Sequence, residues 1–317
     1  MQRKGSPFTG LASVAMKEAA DHMTSPRMHL VMLLILLTAL GSIYGALGEI
    51  KSTVSEDPFI FLRLLTTAKQ PLPSFVTFLG FLLPLIGIAL AFDGINGEYS
   101  RRTMSRILSQ PIYRDALLAG KFLGGLLVIG ICLVTLWLLI TGMGILMLGL
   151  PPSGEEILRG LTFLLVSLAY AGVWLAISLF FSTVFKSPAT AALAGLTLWM
   201  VFTLFWGMIA PLAASGIAPA DPFNQMSIIH QAEVGQAIAR ISPNTLFNEA
   251  TIAILNPQTR SLGLVFAYQM ERAVMGMPLP FGQSALLIWP ELSGLLAAMV
   301  VVYTAAYVTF QRQEIRA

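Results

Sequence analysis

The chain has 317 residues, 56% of them apolar and 11% charged, with a formal net charge of +3. Soluble domains are roughly 45 to 50% apolar with glycine counted and about 25% charged, so this composition excludes a water-soluble domain and places the chain in a bilayer. The single cysteine, Cys132, also excludes an intrachain disulfide.

The first 28 residues are polar enough to stay outside the membrane. Leu11, Val14, Ala15 and Ala19 share one side of a predicted helix, with Lys17, Glu18 and Asp21 elsewhere. That pattern suits a helix lying on a leaflet and ended by Ser25-Pro26. Crossing about 30 Å of hydrocarbon takes about 20 mostly apolar residues. Six such runs follow, at Leu30–Gly48, Ser74–Phe92, Phe122–Gly149, Leu161–Ser182, Ala189–Ala213 and Ala285–Thr309. Continuous runs exclude a β-barrel, whose strands alternate with period two. The expected fold is all-α and polytopic, with residues 29–317 forming one six-helix membrane domain behind the interfacial segment 1–28. The first run is longer than the apolar region of a signal peptide and follows a long polar lead, so it reads as an uncleaved anchor.

Twelve of the nineteen lysines and arginines fall in 1–28, 93–121, 183–188 and 310–317. Positive charges near span ends stay in the cytoplasm, so these pieces, with both termini, are expected inside, in an inner-membrane protein. GxxxG spacings at Gly41/Gly45 and Gly120/Gly124 let helices approach closely and read as packing sites.

The loop 93–121 is dense in charge. Glu98 stands three and four residues before Arg101 and Arg102, a spacing that pairs side chains on a helix. Met104, Ile107 and Leu108 add an apolar stripe beside Arg106, Gln110-Pro111 stops the helix, and a second helix begins near Tyr113 or Arg114. The residues alone leave membrane anchoring and a protein partner equally open.

No glycine-rich phosphate loop ending in Lys-Ser or Lys-Thr occurs, since Gly120-Lys121 is followed by Phe122. His22, His29 and His230 are far apart, so no metal site is expected, and no hydrolase constellation lies in the spans. Nor is a nucleic-acid partner expected. Trp199, Phe202, Phe205 and Trp206 recur along the fifth run on one broad face. The segment 214–284 is too polar in places to span, contains two amphipathic helical patterns, and suits a lid, a docking site for an extracytoplasmic partner or a surface on the outer leaflet. Glu291 is the one charge within the six runs, about two turns into the last. It reads either as a snorkelling or capping carboxylate or as a gate on a pathway.

The stretch "EYSRRTMSRILSQPIYRDALLAGKFLG", 98 to 124, resembles the signature of the ABC type 2 transporter permease family. The matching positions are Glu98, Arg102-Thr103, the core Ile107-Leu108-Ser109-Gln110-Pro111, Arg114 and Gly120-Lys121-Phe122. "AMKEAADHMTSPRM", 15 to 28, is similar to the N-terminal interfacial helix of these permeases. In general look the chain is similar to members serving nitrous oxide reductase maturation, sodium export and gliding motility. Arg102 departs from the family pattern, in which many members have glycine there.

The resemblance implies an exporter fold in which two permease copies, as a homodimer or pseudo-dimer, each insert the loop as a coupling helix into a cytoplasmic ABC ATPase subunit. ATP and Mg would then be bound by that partner, and no cofactor or catalytic residue is expected on this chain. Glu98, Arg101, Arg102, Arg106 and Arg114 become the coupling candidates. Spans two and five resemble pathway walls, making Phe75, Phe78, Phe81, Trp199, Phe202, Phe205 and Trp206 candidate substrate contacts. Two rival readings are a membrane scaffold that recruits a cytoplasmic protein and a secondary transporter centred on Glu291.

Overall fold

The computed structural model describes residues 10–52, 59–69, 73–104, 106, 109, 112–262 and 278–313. Ile107, Leu108, Gln110 and Pro111 of the loop core, and 263–277 of the long segment, lie outside the described residues. Every regular element described is a helix, and six helices are long and apolar enough to cross a membrane.

After α1 (Leu11–Met23), span one is α2 (Pro26–Ser52) and a short α3 (Ile60–Thr66) leads to span two, α4 (Phe75–Ala91). The one-turn α5 (Asn96–Ser100) opens the loop, and span three is α6 (Arg114–Leu148). At 1.5 Å per residue its 35 residues cover about 52 Å, more than the hydrocarbon thickness of about 30 Å. Span four is α7 (Gly154–Val184). Span five comprises α8 (Pro188–Met200), a π turn (Val201–Phe205) and α9 (Trp206–Ile217). Then come α10 (Gln225–Ala239), α11 (Pro243–Leu255), α12 (Phe281–Leu287) and span six, α13 (Trp289–Arg312).

Span four is the centre of the bundle. Its apolar stretch is 83% buried, against 6% for span five, so span five borders the bundle. Ser153 starts span four with a capping box, its hydroxyl accepting from Glu156 N at 3.3 Å while Glu156 accepts from Ser153 N at 2.8 Å. Ser178 Oγ donates to Ile88 O at 3.1 Å and Tyr170 OH to Gly80 O at 3.1 Å. Both bonds fix span four to span two.

The segment after span five does not stand clear of the helices. Trp206 Nε1 donates to Ala239 O at 3.1 Å, so α10 runs back along α9 by about 16 Å, the rise of the eleven residues from Trp206 to Ile217. Deeper still, Asn244 donates to Thr203 Oγ1 at 2.7 Å and accepts from Tyr170 OH at 2.7 Å. These bonds satisfy the Asn244 carboxamide, whose burial among apolar spans would otherwise be costly. Phe247 stacks on Tyr170 with centroids 4.4 Å apart, and α11 then climbs back along span four.

Arg159 holds this cap in place. It is fully buried and donates to Ile254 O at 2.8 Å, Leu279 O at 2.6 Å, Ser284 Oγ at 3.1 Å and Glu155 Oε1 at 2.8 Å. One side chain thus ties span four to the ends of α11 and α12.

Candidate functional site

At the opposite end of the bundle α1 lies against the start of span three. A Cβ added at Gly120 would meet Val14 at 2.6 Å, and one at Gly124 would meet Ala15 O at 2.8 Å. Only hydrogen at these two positions lets the backbones approach. The GxxxG spacing is therefore a packing site, and its partner is the interfacial helix.

That contact sets Lys121 between two carboxylates. Its side chain is 6% exposed, and Nζ lies 2.8 Å from Glu18 Oε1 and 3.3 Å from Glu98 Oε1. Glu98 also accepts from the Thr103 hydroxyl. One buried ammonium thereby connects α1, the loop and span three. Beside it Arg27 reaches Asp93 at 3.0 Å, with Arg101 at 4.0 Å from the same carboxylate, fastening the start of span one to the end of span two. A cavity of ≈ 300 Å³ opens among these groups. Burial holds the His22 imidazole below its usual pKa despite nearby Glu18. Burial acts against the charge of Lys17 as well, but hydrogen bonding to Asp21 and the field of Glu18 outweigh it and raise that pKa.

The pairing expected for Glu98 differs from the one observed. Glu98 meets Lys121 and Thr103, not Arg101 or Arg102, because α5 ends after one turn. Arg102 N donates to Tyr99 O at 3.1 Å and Thr103 N to Glu98 O at 2.9 Å, a Schellman closure that needs a left-handed residue between. Arg102 supplies it, with φ 56°. A Cβ in that conformation is disfavoured by about 1 kcal/mol, so Arg102→Gly is expected to raise the unfolding midpoint slightly in a thermal melt, leaving the loop's path unchanged.

Arg101, Arg102 and Arg106 are exposed, whereas Met104 is buried at 2% exposure. Of the apolar stripe expected beside the arginines, Met104 lies among the described residues and faces inward, while Ile107 and Leu108 lie outside them. Tyr113 precedes α6, as expected, and Arg114 donates to Gln313 O at 3.2 Å, joining span three to the end of span six. The basic arm therefore turns outward while its acid faces in.

The aromatic candidates divide. Trp199 meets Phe81 edge-on at 4.9 Å, while Phe202 lies 5.0 Å from Trp206 and 6.3 Å from Trp174. The π turn breaks the expected single face and leaves Phe205 48% exposed. Phe75 is buried and Phe78 half-buried. Glu291 lies in the first turn of α13, not two turns into a span, because Pro290 starts a new helix there. It is 1% exposed and lies 3.1 Å from Arg240 Nη2, whose Nε is 2.8 Å from Glu249 Oε2.

The sequence reading missed Glu18, Asp93 and Arg159 as anchoring residues. Only Arg159 left a local signal, its four-residue spacing from Glu155. Glu18 and Asp93 find partners far away in sequence.

Six spans, an interfacial helix and an outward basic arm braced on a buried ion cluster define a multi-pass membrane protein. The model of the ABC-2 family transporter protein matches residues 12–315, and the chain belongs to that family. It is similar to the probable ABC transporter permease protein NosY of Pseudomonas aeruginosa, 31% identical over 203 residues covering 62% of this chain and 68% of that protein. The probable NosY permease of Stutzerimonas stutzeri is 25% identical over 206 residues, covering the same shares.

Proposed function

We propose that the chain is the inner-membrane permease subunit of an ABC exporter, with the arm 93–121 in the cytoplasm as the element that engages a separate ATPase subunit. The observation that carries this reading is Lys121, buried between Glu18 and Glu98. A force applied to the arm passes through that cluster into span three and the interfacial helix together. ATP and Mg belong to the partner, and this chain supplies no catalytic group. Span five, bordering the bundle, is the helix best placed to meet a second permease copy, with the Phe81, Trp199 and Phe202 aromatics beside the resulting pathway. The ion pair of Glu291 with Arg240 supports a role in anchoring the cap above a role as proton carrier.

The experiment is capture of the ATPase by the purified permease. Reversing the charge of the arm with Arg102→Glu and Arg106→Glu is expected to weaken binding at least about tenfold, as charge reversal at an interface does. Both side chains are exposed, so the thermal midpoint of the permease should stay put. Unchanged affinity would remove the arm from the interface.

A further inference from the structure

The ≈ 300 Å³ cavity beside the Lys121 cluster is lined by four bases and four acids, and they are unevenly placed. On the α1 side every carboxylate has an ammonium close by. Glu18 and Glu98 lie 2.8 and 3.3 Å from Lys121, and Asp21 lies 2.7 Å from Lys17. At the opposite corner the balance reverses, because Arg27 and Arg101 share the single carboxylate of Asp93, at 3.0 and 4.0 Å. One guanidinium charge is left over there. It is open to a ligand, since the two arginine side chains are 54% and 68% exposed.

The corner stands where spans begin and end. Arg27 is the second residue of span one, and Asp93 follows the end of span two by two residues. The Arg27 guanidinium lies over the Phe92 ring, 5.1 Å from its centroid, which holds it at the mouth of the cavity. It bonds to Asp93 through Nη1, and a guanidinium fork has donors besides that one. Behind this rim the cavity is apolar, lined by Val31, Leu90, Phe122 and Leu179, one from each of spans one to four. Leu30 and Leu34 come three and seven residues after Arg27, on its side of the helix, and are 69% and 48% exposed. An anion carrying an apolar tail matches both parts, whereas a soluble anion or an acidic side chain leaves the leucines uncovered. Basic pockets at the ends of membrane spans suit lipid headgroups.

We infer that this corner binds the phosphate of an anionic phospholipid, with Arg27 and Arg101 donating to its oxygens and its chains lying along Leu30 and Leu34. Phosphatidylglycerol brings one negative charge and neutralises the surplus. A choline headgroup brings a cation of its own, and the carboxylates on the α1 side are already held by Lys17 and Lys121. The lipid measurement needs neither nucleotide nor ATPase, so it stands or falls apart from the transport reading.

Purified full-length protein is equilibrated in nanodiscs of equal phosphatidylglycerol and phosphatidylcholine with matched chains, extracted in mild detergent, and its retained lipid counted by native mass spectrometry. Phosphatidylglycerol should exceed phosphatidylcholine about fivefold, the attraction of one basic residue for an anionic headgroup. Arg27→Gln and Arg101→Gln should each bring the ratio toward one. Asp93→Asn, which removes the competing carboxylate, should raise it above wild type, whereas a merely structural role would move all three variants the same way. Lys186→Gln, which alters another exposed base, should leave the ratio unchanged. Equal retention of the two lipids, a lowered ratio in Asp93→Asn, or a fall in Lys186→Gln as large as in Arg27→Gln overturns the assignment. So does full displacement by soluble glycerophosphoglycerol, which would make the ligand a solute. Loss of ATPase capture in Arg27→Gln at an unchanged lipid ratio would give the corner to an acidic side chain of the ATPase instead.

Discussion

Lys121→Met should release the interfacial helix and lower the stability of the loop end by about 3 to 5 kcal/mol, the cost of removing one partner from a buried ion cluster. The substitution keeps most of the apolar stem and deletes the ammonium. Glu18 and Glu98 then face each other with only the exposed Lys17, 3.5 Å from Glu18, beside them, and must share a proton or swing toward water. Either response loosens α1 from span three, because the Val14 and Ala15 contacts with Gly120 and Gly124 are then the main remaining tie. Hydrogen exchange over 11–23, with tryptic cleavage at Lys17 as a second readout, checks this. Protection should fall across α1 and stay unchanged in α11. Lys121→Arg should retain part of the protection, since it keeps the charge but changes the reach.

Arg159→Ala is expected to be the most damaging single change at the other end, again about 3 to 5 kcal/mol. The lost guanidinium satisfies two backbone carbonyls, one hydroxyl and one carboxylate, and a methyl group fills none of that space. Arg159→Lys should rescue little, because one ammonium cannot reproduce a planar fork aimed at four acceptors. The thermal midpoint and cleavage within the cap are the readouts. A midpoint near wild type in Arg159→Ala would mean that the cap is held by its apolar contacts alone.

The spans were legible because a bilayer imposes a length on every crossing element, and six apolar runs met it. Their ends were less so. Pro290 moved the start of the last helix past Ala285, and span five continued to Ile217 beyond Ala213. The return of α10 and α11 toward the spans was hidden by polarity: Asn244 reads as water-facing until Tyr170 and Thr203, 74 and 41 residues away, are found to satisfy it. At the loop, local spacing pointed Glu98 at Arg101 and Arg102. A one-turn helix closed by a left-handed arginine redirected it to Lys121, and Glu18 came from 103 residues upstream of Lys121. Sequence periodicity predicts neighbours within an element, while a buried ion cluster depends on how elements cross.

The most direct test of the account is the ATP turnover of the partner ATPase, alone and in a stoichiometric complex with this permease in nanodiscs. The account predicts a different rate in the complex, and predicts that Lys121→Met abolishes the difference while the ATPase remains bound. The same rate with and without the permease, or full coupling in Lys121→Met, would contradict it.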